Sequence, residues 1–131
     1  MRVDTSTPAA RAQYDVNVAF ALGYKARCRA RTGRRRVLVT GFGRFLDNPT
    51  NATGKIVSTL VPAARYPETT PPEKGMVDLP EPQTSVARGT LTLPHAGEVD
   101  VCAMVLPVYW DLAAVLAIKE IDAFGPELVV M

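Results

Sequence analysis

Arg36-Val37-Leu38-Val39-Thr40-Gly41 is a short, β-branched apolar run closed by a glycine. Unbroken apolarity over so few positions predicts a strand covered on both faces, as in a parallel sheet. The chain then turns through Asp47-Asn48-Pro49 and changes period. Ile56, Val57 and Leu60 fall at helical spacing between Asn51 and Val61, with Thr50 or Asn51 placed to cap the helix and Pro62 to stop it. A buried strand that feeds a helix predicts an α/β layered fold.

Downstream, residues 66–85 hold prolines 67, 71, 72, 80 and 82 among acidic residues, the composition of a surface loop. Val86 to Leu93 alternates in character and Val99 to Val108 is nearly all apolar. Both are predicted strands, with Gly97 in the turn between them. From Trp110 to Phe124, Leu112, Val115, Leu116, Ile118 and Ile121 repeat with a period near 3.6, which predicts a helix packed on a sheet. Asp111 suits the positive end of its dipole, and Gly125-Pro126 ends it. Leu128-Val129-Val130-Met131 then opens another buried strand. The order implies at least some parallel pairing, and ligands of such sheets bind beyond the carboxyl ends of the strands.

Working upstream, residues 1–35 differ in kind. Residues 1–36 carry nine Lys/Arg against Asp4 and Asp15, a net +7, while the remaining 95 residues sum to −5. Tyr14, Val16, Val18, Phe20, Leu22 and Tyr24 alternate as a strand would, yet alanines 9, 10, 12, 19, 21 and 26 favour a helix. The segment is expected to be a weak helix or a loosely held extension, distinct from the domain over residues 36–131.

The 131 residues suffice for one domain with a core, and 47% hydrophobic with 21% charged residues is ordinary for a soluble globular chain. No run of about 18 apolar residues is present, and no secretory leader is signalled. Cys28 and Cys102 form neither a disulfide framework nor a metal knuckle, and both read as reduced thiols in a cytosolic setting. With His95 as the single histidine, no metal site and no cofactor is expected.

Val37-Leu38-Val39-Thr40-Gly41-Phe42-Gly43-Arg44-Phe45, followed by Asn48-Pro49-Thr50, resembles the opening signature of pyroglutamyl-peptidase I. That signature runs as an apolar strand, T-G-F-x-P-F-G-G, a short spacer and N-P-S/T before a helix. Val105-Leu106-Pro107-Val108-Tyr109-Trp110, with Ala113-Ala114, Leu116, Ile121, Pro126-Glu127 and Leu128-Val129-Val130, is similar to a second family stretch in the same order. The resemblance spans residues 36–131, with 63–98 aligning poorly. Arg44 replaces the family's proline, Leu46 and Asp47 replace its glycine pair, and the spacer before Asn48-Pro49 is shorter.

The resemblance implies a three-layer α/β/α fold with a mixed, partly parallel sheet. It also implies a cytoplasmic cysteine-type hydrolase, a thiol protease removing N-terminal pyroglutamate from peptides. In that family a thiolate attacks, an imidazole moves the proton and a carboxylate orients the ring. All three positions lie C-terminal to residue 131, so the chain is expected to be a truncated N-terminal portion, inactive alone and with no catalytic residue of its own. Phe42 and Phe45 match the two phenylalanines that hold the flat lactam ring of a pyroglutamyl peptide.

Gly41-Phe42-Gly43 begins like a dinucleotide fingerprint, but Leu46 stands in place of the third glycine and no phosphate-cradling lysine follows. Cys102, flanked by Val101, Ala103 and Met104, reads as an inert core thiol, and His95, between Pro94 and Gly97, as an exposed turn residue. Glu98 with Asp100, and Glu120 with Asp122, read as solvated carboxylates. The arginines from 27 to 36 offer the alternative function, a non-catalytic α/β module binding nucleic acid or another acidic partner. No aromatic interleaves Arg34 to Arg36, which favours a solvated extension over a nucleic-acid surface. Apolar surface left on the last strand is expected to promote self-association.

Overall fold

A computed structural model describes residues 5–30, 33–45, 48, 50–66 and 82–131. Its elements run α1 (Pro8–Gly23), β1 (Arg35–Phe42), α2 (Ala52–Leu60), β2 (Ser85–Leu93), β3 (Gly97–Leu106), α3 (Trp110–Phe124) and β4 (Leu128–Val130). The proline-rich stretch falls largely outside the described residues, as do Leu46, Asp47, Pro49 and Arg31.

The strands form one mixed sheet in the order β2-β3-β1-β4. β1 pairs in parallel with β3 and with β4, while β2 and β3 form an antiparallel hairpin. Register assigns the faces. Leu38 lies opposite Cys102, and with Met104 and Leu106 these residues join Leu112, Leu116 and Phe124 of α3 in one buried cluster. Val39 lies opposite Ala103, and with Val99, Val101 and Val105 these join Val57 and Val61 from α2 and its end. Helices therefore cover both faces, giving the α/β/α layering that unbroken apolar strands require.

Two glycines let α2 settle directly on β1. A Cβ at Gly41 would stand 2.4 Å from the Thr53 carbonyl oxygen, and one at Gly54 would stand 2.2 Å from that of Phe42. Only hydrogen fits at either place, so helix and strand backbones touch at the carboxyl end of β1. Of the two cap candidates, Asn51 serves, its side chain accepting from Thr53 N at 3.1 Å. β3 stops at Leu106 rather than continuing to Val108, because Pro107 has no N–H to pair.

One open alternative resolves and one expectation changes. The helical pattern prevails in the N-terminal segment, where Thr7 caps α1 through its side-chain oxygen. β4 is an edge strand rather than a buried one. It pairs with β1 on one side, and Leu128 and Val130 remain 56% and 47% exposed beside the half-buried Val129. The cause is topological: α2 packs over β1 and β3 and leaves that face of β4 bare.

Candidate functional site

Parallel β1 and β3 end at one margin of the sheet, and a hydrogen bond from Gly43 N to Leu106 O, 2.8 Å, ties those ends together. Phe42 closes β1. Its N–H donates to Thr53 Oγ1 at 3.0 Å, and its half-buried ring packs against the α3-side core. Phe45 follows in a tight antiparallel exchange with Asn48, N to O at 3.2 and 2.9 Å in the two directions. Leu46 and Asp47, between them in sequence, lie outside the described residues. Phe45 is 51% exposed, and Trp110, which begins α3 just beyond β3, is 81% exposed. The margin thus presents aromatic surface supported by a backbone that its own hydrogen bonds fix.

A second cluster lies buried on the α1/α3 side. Cys28 and Cys102 are joined in a disulfide across 74 residues, correcting the expectation of two reduced thiols. Cys102 is fully buried, as its apolar neighbours foretold. What no spacing revealed is that the segment after α1 passes directly over it.

Glu120 overturns its reading as a solvated carboxylate. It is fully buried. Its Oε1 accepts from the Tyr24 hydroxyl at 2.5 Å and from Arg27 N at 2.8 Å, while Oε2 accepts from Cys28 N at 2.8 Å. Burial first, then the hydrogen bond to Glu120 and its negative charge, push the Tyr24 hydroxyl well above the ordinary tyrosine range, with Arg27 opposing. The neighbouring Lys119 donates to the Ala21 and Tyr24 carbonyls at the end of α1. Two adjacent α3 residues thus satisfy donors and acceptors of the arm that no helix or strand could satisfy. A sequence signal for Glu120 did exist, since Ala113, Leu116, Ala117, Glu120 and Phe124 form the buried stripe of α3.

Asp100 is likewise not solvated. It is buried, with Arg34 at 3.5 Å and Arg88 at 3.8 Å, while Glu98 stays exposed and holds Arg34 at 3.0 Å. Arg35 pairs with Glu127 at 3.0 Å and Arg36 donates to Gly125 O at 2.9 Å. These arginines fasten the start of β1 to its neighbours.

His95 occupies the exposed β2–β3 turn as expected. Cys102 lies five residues past Gly97 along an extended strand, roughly 17 Å away. Sulfur and imidazole are therefore not brought together. Among the described residues, no helix is long and apolar enough to cross a membrane. Comparison with protein-family models, with curated proteins and with solved structures finds no match for this chain.

Proposed function

We propose that this chain carries the ring-gripping part of a pyroglutamyl-peptidase-like hydrolase, with Phe42 and Phe45 receiving the flat lactam of an N-terminal pyroglutamyl residue. The observation that carries this reading is the location of the two phenylalanines. They flank the carboxyl end of a central parallel strand, where α/β sheets take their ligands, and Phe45 keeps half its surface open. Apolar faces suit a neutral lactam, which carries no charge for a basic or acidic pocket to grip.

The chain by itself does not perform the hydrolysis. Both cysteines are fully buried and the histidine sits in a distant turn, so neither sulfur, paired or reduced, has an imidazole beside it to activate it for acyl transfer. The family's cytoplasmic setting belongs to the same reading and requires those cysteines to be reduced there. Engagement of Arg34, Arg35 and Arg36 with carboxylates and a carbonyl weighs against a free basic arm for nucleic acid.

The test is titration of the chain with 2-pyrrolidone, a bare lactam, followed by NMR. Shifts concentrated at residues 42–45, lost in Phe45→Ala, are expected, together with no turnover of a pyroglutamyl reporter. Shifts scattered over the surface, or none at saturating ligand, would remove the reading.

A further inference from the structure

We propose that Cys28, Cys102 and Glu120 form a metal site that alternates with the disulfide, the reduced chain taking a thiophilic divalent cation such as zinc. Three separate elements converge on it: the segment after α1, the centre of β3 and the buried stripe of α3. One ligand atom from each residue lies within 4.8 Å of the others, and all three residues are fully buried.

A structural disulfide has no need of a carboxylate beside it. Glu120 is a buried charge, and no ion pair among the described residues reaches it. Buried charges are ordinarily paired or bound to metal, since an isolated one is expensive to desolvate. Its hydrogen bonds lessen that cost without cancelling the charge. They also orient the group: Oε1 accepts two hydrogen bonds and Oε2 one, so Oε2 retains a lone pair. The backbone N–H that fixes Oε2 is that of Cys28, itself a sulfur ligand. Such second contacts hold metal ligands in place.

The chemistry balances. A dithiol reductant gives two electrons to the S–S bond, leaving two cysteine thiols and becoming a disulfide itself. Binding the cation then displaces one proton from each thiol. Two thiolates and a carboxylate supply three of the four ligands of a tetrahedral zinc site. The single histidine at position 95 lies in the far turn, so the site owes nothing to imidazole. This departs from the expectation, drawn from that one histidine, that the chain holds no metal.

The experiment uses the full chain, reduced under nitrogen with a phosphine and titrated with cobalt(II). One equivalent is expected to produce a thiolate-to-cobalt charge-transfer band with tetrahedral visible bands, discharged by zinc. The oxidised chain should show neither. Glu120→Gln should weaken cobalt binding at least about tenfold, while His95→Ala leaves it unchanged. Because Glu120→Gln also disturbs the arm, a second measurement uses the unaltered sequence: one equivalent of zinc should protect both reduced cysteines from alkylation. Absence of the charge-transfer band, binding undiminished in Glu120→Gln, or alkylation equally fast with and without zinc would each overturn the proposal.

Discussion

The clamp beneath α1 and the aromatic margin beyond β1 and β3 are built on opposite principles. In the clamp, one carboxylate answers three donors, one ammonium answers two carbonyls, and a covalent bond runs through the middle. At the margin the backbone is fixed by paired hydrogen bonds, but Phe45 and Trp110 face solvent. Saturated polar groups make a region costly to disturb, whereas open aromatic surface on a fixed frame is what a ligand can use. Stability should therefore be concentrated in the clamp and recognition at the margin.

Reducing the disulfide makes the largest difference. Its residues lie 74 apart, and freeing a loop of that length costs about 4 kcal/mol on the chain-entropy account. Denaturant titration of oxidised and metal-free reduced chain should show the loss as a lower midpoint. Glu120→Ala, measured with the disulfide intact, strands the Tyr24 hydroxyl and two backbone N–H groups. A loss of about 3 kcal/mol is expected. An effect under about 0.5 kcal/mol, the size of an ordinary surface change, would erase the contrast.

Tyr24→Phe sharpens it through pH. The folded protein holds the Tyr24 proton more tightly than the unfolded chain does, so this contribution is complete below about pH 10 and disappears as pH rises further. Removing the hydroxyl should cost about 1 kcal/mol at neutral pH and flatten the alkaline fall in stability, read from melts between neutral and strongly alkaline pH. The smallest stability effect belongs to the margin. Phe45→Ala should cost less than about 1 kcal/mol, because half the ring is already in water, while abolishing lactam-induced shifts. A large loss of stability there would make Phe45 a structural residue.

How far the sequence reveals this arrangement depends on whether a feature is periodic. β1 was legible because burial on both faces leaves a short unbroken apolar run, and α2 and α3 because burial on one face imposes a helical period on consecutive residues. Asn51 marked the start of α2 through local backbone chemistry, whereas the strand was read through Pro107, whose missing N–H in fact ends β3 at Leu106. Phe42 and Phe45 became candidates only through the resemblance of the stretch around Thr40-Gly41-Phe42 to the pyroglutamyl-peptidase signature. The disulfide was not, since Cys28 and Cys102 meet only after the arm folds over the sheet, and nothing in either neighbourhood marks the other. Asp100 and Glu120 were misread for a related reason. Each sits at a position whose period says buried, but its charge says exposed, and the partners that resolve the conflict lie far away in the chain. The exposure of β4 depends on which strands α2 covers, a matter of topology rather than composition.

The Tyr24–Glu120 bond joins positions 96 residues apart. During synthesis α1 is made well before α3, which carries Lys119 and Glu120. Until then Phe20, Ala21 and Tyr24, which belong on the α3-side core, have no seat to occupy. α1 is thus made well before the helix it docks on, and its apolar face stays open to chaperones or to neighbouring nascent chains in the interval.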